Sequence, residues 1–244
     1  MRNSPQIAKG SGPFGKAVFN WMKDLSDSAR GKLEQSQFIK IGKTSQALRN
    51  LVKAAKKTDS ILAICGYKGS YSTAYYKTNF KKCRAVKRIF SYEAIRNEIT
   101  SKNEFYALKG LRLHLNKKAT TDCDVEVLLI PKKKLIRNLL GDSFDPPFSF
   151  GLAILVDQNE FPRMAVVHWE MGAEPLKHLI DIEGVIIDGG QDELLHELVQ
   201  LHEEIADSNP VLSSKRAQKN AIIAACKELH QLWKSRPKTR KGRP

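Results

Sequence analysis

The stretch from Phe144 to Glu170, FDPPFSFGLAILVDQNEFPRMAVVHWE, restricts the possible folds of this chain most. Two apolar runs, Leu152–Val156 and Met164–Trp169, flank a polar turn at Asp157–Arg163. This pattern is typical of a β-hairpin. Because both runs are nearly continuous in apolar residues rather than alternating, both strands are expected to be buried on both faces.

Further elements are predicted around the hairpin. Apolar runs predict strands at Ile61–Cys65, Val86–Phe90 and Asp124–Ile130, with a shorter candidate at Phe38–Ile41, where Gly42 should end the strand. Residues 184–188, GVIID, are typical of either a strand or a buried turn. Residues at helical spacing predict helices over 46–56, 73–82, 91–100, 106–116, 191–205 and 218–233. This order predicts an α/β fold: a mixed sheet of three parallel strands plus an antiparallel hairpin, with helices on both faces.

The predicted organisation has five parts. Residues 1–13 are expected to be disordered, 14–43 to form an N-terminal helical extension, 44–207 the α/β domain, 211–233 a C-terminal helix, and 234–244 a disordered basic tail. No apolar run of membrane-spanning length and no secretory signal is present, so a cytoplasmic protein is expected. The four cysteines are widely spaced without a CxxC pair, so neither a metal site nor a disulfide framework is predicted, and no cofactor is expected.

The element order over residues 44–206, together with the strand FGLAILVD, resembles one half of the phospholipase D-like superfamily. In that family the first hairpin strand carries the catalytic pattern H-x-K-x(4)-D. Here Phe150 replaces the nucleophilic His, Leu152 replaces the phosphate-binding Lys, and Asp157 is retained. The resemblance therefore implies a degenerate, catalytically silent member that binds nucleic acid, senses a ligand or serves as a scaffold.

Two other groups of residues are candidates for catalysis. In HLNKKATTD, His114, Lys117 and Asp122 come close to the family pattern, with the lysine one place late. His168 and Glu170 lie two apart on the second hairpin strand and share a face, where they could act as an acid/base or anion-recognition pair or form a structural hydrogen bond. On the predicted helix 191–205, His196 and His202 are expected at the surface.

A ligand crevice is expected beyond the carboxyl ends of the parallel strands. The candidate residues there are Tyr67, Lys68, Tyr92, Glu93 and His168. Ordinary roles are the alternative, because the GYKG segment is typical of a turn and Ser91 with Glu93 is typical of a helix cap.

The net charge of +15 is divided into blocks: +19 over residues 1–140, −13 over 141–210 and +9 over 211–244. Basic blocks near aromatic residues indicate binding to DNA or RNA phosphates, with ring stacking by Tyr75, Tyr76 and Phe80 possible. The predicted contact residues are Lys81, Lys82, Arg84, Lys87, Arg88, Lys132, Lys133, Lys134, Arg137, Lys238, Arg240, Lys241 and Arg243. The alternative is pairing of the charge blocks, within the fold or between subunits, and the acidic region 181–207 could meet a second copy or a protein partner.

The leading functional prediction is a non-catalytic, regulatory or accessory protein that binds nucleic acid. A phosphodiesterase or nuclease with a rearranged or dimer-completed site is one alternative, and a small-ligand sensor is another. No membrane partner is expected.

Overall fold

A computed structural model describes residues 39–65, 73–92, 105–131, 148–171, 183–189, 192–207 and 215–235. It shows an α/β fold with a seven-stranded mixed sheet and, among these residues, five helices. The strands are β1 (Ile39–Lys43), β2 (Ser60–Cys65), β3 (Ala85–Ser91), β4 (Asp124–Ile130), β5 (Phe148–Val156), β6 (Pro162–Met171) and β7 (Glu183–Asp188). The helices are α1 (Thr44–Ala54), α2 (Thr73–Lys82), α3 (Phe105–Leu113), α4 (Asp192–Asp207) and α5 (Lys215–Lys234).

The sheet has a parallel half and an antiparallel half, in the order β1-β7-β6-β5-β2-β3-β4. β2, β3 and β4 are parallel, whereas β5 joins β2 antiparallel and begins an antiparallel run through β6, β7 and β1. Five strands run in the same direction, so their carboxyl-terminal ends lie along the same side of the sheet: β1, β2, β3, β4 and β6. This side is called the carboxyl edge.

Of the described helices, four cover one face of the sheet and α4 covers the other. On the first face, the apolar sides of α1, α2, α3 and α5 pack against residues such as Ala63, Phe90 and Ala153. On the second face, α4 packs its leucines against residues such as Leu62 and Ile154. Both faces of β2 and β5 are therefore buried, which explains their continuous apolar runs.

Two aspartates hold loops in place on the side of the sheet opposite the carboxyl edge, where β2 begins and β5 ends. Asp59 is 2% exposed, and its carboxylate accepts hydrogen bonds from the Lys56 amide at 2.8 Å and from Arg163 Nη1 at 2.9 Å. Asp157 begins the hairpin turn, where its Oδ1 accepts the amides of Asn159 at 2.8 Å and Phe161 at 3.0 Å. Glu160 closes this turn with φ 67°.

The α/β class, the three parallel strands and the antiparallel hairpin are confirmed, and helices do lie on both faces. The sheet is larger than predicted because the edge pair of β1 and β7 extends it. Gly42 does not end β1, since it stays paired with Gly184 and the strand continues to Lys43. The predictions for residues 1–38 and for the tail 236–244 lie outside the described residues, as does most of the predicted helix 91–100.

In the part of the chain that is described, no helix has the length and apolarity needed to cross a membrane.

Candidate nucleic-acid interface

The four helices on the first face are strongly basic. Together they contain twelve Lys and Arg residues and one acidic residue, Glu228. The cations whose exposure is described are all exposed: Arg49, Lys53, Lys77, Lys81, Lys82, Lys109, Arg112, Arg216, Lys219, Lys227 and Lys234. This surface, formed by α1, α2, α3 and α5, is called the basic face below.

Like charges on these helices are neighbours. Arg49 and Lys53 are spaced i, i+4 on α1, as are Lys77 and Lys81 on α2, while Lys109 and Arg112 are spaced i, i+3 on α3. Such pairs destabilise a helix by about 0.2–0.5 kcal/mol each. Because these three helices contain no acidic residue, nothing within them offsets that repulsion, and a bound polyanion would relieve it.

The described helix on the opposite face of the sheet, α4, carries the opposite charge. α4 contains six acidic residues and no Lys or Arg: Asp192, Glu193, Glu197, Glu203, Glu204 and Asp207. The described helices on the two faces of the sheet therefore carry opposite charges. The acids of α4 do not pair with the cations of the basic face within the fold, because the sheet lies between them.

The predicted contact residues do not all lie on the basic face. Lys81 and Lys82 end α2 there and are exposed. Arg84 is exposed at the edge beside Asp59, with its Nη2 3.4 Å from Ser60 Oγ. Lys87 is exposed on the α4 side of β3, in register with Leu62. The predicted contacts at 132–137 and 238–243 lie outside the described residues.

Arg88 was predicted to contact nucleic acid, but the structure corrects this because Arg88 is buried rather than exposed. Because strand residues alternate, Arg88 points between Val86 and Phe90 toward the helices, and it is 2% exposed. Its guanidinium carbon lies 4.5 Å from the ring centroid of Tyr76 and 5.4 Å from that of Tyr75. Its Nη2 also donates to the side-chain oxygen of Asn79.

The aromatic residues of α2 lie in the core, which corrects the expectation that they stack on bases. Tyr76 is 0% and Phe80 1% exposed, and Tyr75 packs against the same cluster. The rings of Tyr76, Phe80 and Phe90 surround His114 with centroid distances of 4.7, 5.2 and 5.4 Å.

His114 is part of this aromatic cluster, and the other two members of its motif are at the surface. Its Nδ1 lies 2.9 Å from the Gly110 carbonyl oxygen, to which it can donate. Burial, aided by the charge of Arg88, lowers the pKa of His114 to about 3, so the ring is neutral at pH 7. Lys117 and Asp122 are exposed in the following turns, so the structure does not assemble the three side chains into one site.

His168 is buried at the carboxyl edge between two glycines. It is 4% exposed and pairs across the sheet with Gly151 of β5, while Gly184 of β7 lies on its other side. A Cβ atom on Gly151 would lie 2.1 Å from His168 Nε2, so the imidazole occupies the space above this glycine. Burial alone lowers the pKa of His168 to about 3. Glu170 follows two residues later on β6, opposite Ser149.

Of the predicted crevice residues, only Tyr92 and His168 belong to the described part of the chain, and they lie at strands that are far apart. Tyr92 follows β3, which is three strands from β6, so about 14 Å separates the two strands at a spacing of about 4.8 Å. Ser91, at the end of β3, is buried. Tyr67, Lys68 and Glu93 lie outside the described residues.

The prediction that His202 lies at the surface was wrong, although His196 is exposed as expected. His202 is 4% exposed, and its side chain lies between α4 and the sheet. Burial lowers its pKa to about 4, and Lys87 acts in the same direction. The signal was present in the sequence, because His202 is one turn from both Leu198 and Ile205 and shares their side of the helix.

Within the described residues, no group of three or more His, Cys, Asp or Glu side chains is placed to hold a metal ion. Searches against protein families, curated proteins and solved structures find no match to this chain.

Proposed function

We propose that this protein binds nucleic acid through the basic face and does so without catalysis. The observation that carries the proposal is the separation of charge across the sheet, with twelve cations against one acid on α1, α2, α3 and α5. Exposed cations attract phosphates regardless of base sequence, because each contact releases condensed counterions.

The proposal includes a degenerate phospholipase D-like domain as the scaffold. The residues at the motif positions support a silent site: Leu152 is 2% exposed in the core of the α4 side, and Asp157 binds amides of its own turn. Phe150 and Leu152, at the positions of the family's His and Lys, have neither a nucleophilic atom nor a positive charge for phosphate.

The test is fluorescence anisotropy of labelled DNA and RNA with the full chain, over a range of salt concentrations. A variant with one neutralised lysine on each basic helix, Lys53→Gln, Lys81→Gln, Lys109→Gln and Lys227→Gln, should bind about 10- to 1000-fold more weakly near 0.15 M salt. The upper figure corresponds to about fivefold per lost phosphate contact.

The matched control changes the same number of charges on the acidic helix: Glu193→Gln, Glu197→Gln, Glu203→Gln and Glu204→Gln. If the basic face binds, this control alters affinity less than about fivefold. If affinity follows net charge alone, the control should gain as much affinity for nucleic acid as the lysine variant loses. That result would refute a defined interface on the basic face.

One observation favours a second candidate, a site for a small ligand at the carboxyl edge. His168 offers a buried, neutral imidazole there, beside Gly151. A ligand at this site would raise the melting temperature equally at low and high salt, whereas a polyanion on the basic face would stabilise the protein only at low salt.

A further inference from the structure

Three cations form a straight row along α5. Arg216 and Lys227 are eleven residues apart, and Lys227 and Lys234 are seven apart, which is about three and two helical turns. All three side chains are exposed on the same side of the helix. Arg216 and Lys234 are eighteen positions apart, so the row spans about 27 Å at a rise of about 1.5 Å per residue.

Helix α3 extends this row. It packs against α5, and its Arg112 side chain hydrogen-bonds Cys226. Loss of solvation lowers the pKa of His230 of α5, and the charges of Lys234 on the same helix and of Arg112 on α3 lower it further. Lys109, one turn before Arg112, is exposed. The cations of α3 and α5 therefore form one patch, called the α3–α5 patch below.

We infer that the α3–α5 patch is where the phosphate backbone of double-stranded nucleic acid binds, an inference that rests on the proposed function. The row is held on a helix and is about as long as eight base pairs of duplex, at about 3.4 Å each. A duplex is stiff over this length and presents phosphates at fixed spacing, and the helix likewise holds the backbone positions of the three cations at fixed spacing.

Recognition of a single strand depends on exposed aromatic rings that stack on unpaired bases. The rings nearest the basic residues of α2 are instead packed around Arg88 and His114 in the core. The exposed cations can contact phosphates, and the buried rings of Tyr76 and Phe80 cannot stack on unpaired bases beside them. A duplex, with one negative charge per about 1.7 Å of axis, provides the denser array of phosphates.

His230 provides a readout at the patch itself. Phosphates bound beside Lys234 and Arg112 would offset the positive field that these residues impose on the imidazole. The pKa of His230 should therefore rise when a duplex binds, which NMR titration of the histidine ring protons measures directly.

The experiment compares two double variants of the full chain, each of which loses two positive charges. Lys227→Gln with Lys234→Gln removes two members of the row, and Arg49→Gln with Lys53→Gln removes two cations from α1. The probes are a labelled 24-base-pair duplex and a single strand of equal length, each as DNA and as RNA. The α5 variant should bind duplex about 30-fold more weakly near 0.15 M salt, with a salt slope smaller by about 1.8. The α1 variant also loses two cations of the basic face, but these lie outside the row, so it should lose only about fivefold in affinity for duplex, well below the loss of the α5 variant.

Tighter binding of the single strand, an equal or larger loss in the α1 variant, or an unchanged His230 titration on duplex binding would overturn the inference while leaving the proposed function in place. If the unaltered protein shows no salt-dependent binding to any of the four probes, the proposed function and the inference both fail.

Discussion

A methyl group added at Gly151 should destabilise the fold because it meets the His168 ring. The new Cβ would lie 2.1 Å from Nε2 and 2.2 Å from Cε1, more than 1 Å inside the 3.4 Å at which ordinary contact begins. His168 is buried and has little room to move away. Overpacking of this kind costs about 1–3 kcal/mol, so we expect Gly151→Ala to reduce the free energy of unfolding by about 2 kcal/mol.

Chemical denaturation and thermal unfolding measure this effect, and a second strand glycine provides the control. A Cβ on Gly42 would meet only Ile186 Cδ1, at 3.5 Å. Gly42→Ala should therefore be neutral or stabilise the fold by about 0.4–1 kcal/mol. For a chain of this size, Gly151→Ala should lower the melting temperature by about 4–8 °C.

A double-mutant cycle tests whether the imidazole is the cause. His168→Ala alone should cost about 2–4 kcal/mol through the cavity it leaves. Adding Gly151→Ala to that variant should cost less than about 0.5 kcal/mol, because the clash is gone, which gives a coupling energy of about 1.5 kcal/mol. One contrary result is that Gly151→Ala lowers the free energy of unfolding equally with and without the His168 ring, and another is that it proves as harmless as Gly42→Ala. Either result would rule out a clash with His168 as the cause.

Two further predictions concern acid stability and the hairpin turn. The pKa values of His114, His168 and His202 are lowered to about 3, 3 and 4 from an ordinary 6.5, so their contribution to stability is complete above pH 6.5 and is lost as the pH falls toward these values. The free energy of unfolding, measured with urea between pH 7.5 and pH 5, should fall by about 2 kcal/mol per histidine at pH 5. His114→Gln should reduce the total fall by about a third, because one of the three histidines is gone. A free energy of unfolding that does not change with pH contradicts this prediction. Asp157→Ala removes two hydrogen bonds to turn amides and should cost about 1–2 kcal/mol without changing nucleic-acid affinity. A weaker affinity for duplex in that variant would instead indicate a functional role for Asp157.

Local patterns in the sequence were enough to predict the α/β class and its central strands. The hairpin followed from two apolar runs around a polar turn, and its strands are longer than predicted because β5 and β6 stay paired as far as Phe148 and Met171. The edge pair could not be predicted in the same way. β1 and β7 are separated by about 140 residues, and no local pattern specifies so distant a pairing.

The basic clusters of the sequence were only partly informative about the interface. A run such as KKCRAVKR does not show which cations face water, because a strand sends alternate residues to opposite sides. In the structure Arg88 enters the core, Lys87 faces the α4 side, and Lys81 stays on the basic face. The spacing of Tyr76 and Phe80, one helical turn apart, already favoured burial of those rings over stacking on bases.

The opposite charges of α4 and of the basic face would also affect how fast the protein associates with the proposed polyanion. A molecule with a basic side and an acidic side has a large dipole moment, so the field of a polyanion turns it before contact is made. Most encounters would then begin with the basic helices forward, and added salt would slow the association rate more than it changes dissociation. Once the protein is bound, α4 would point away from the polymer, and the coated polymer would still present negative charge to its surroundings.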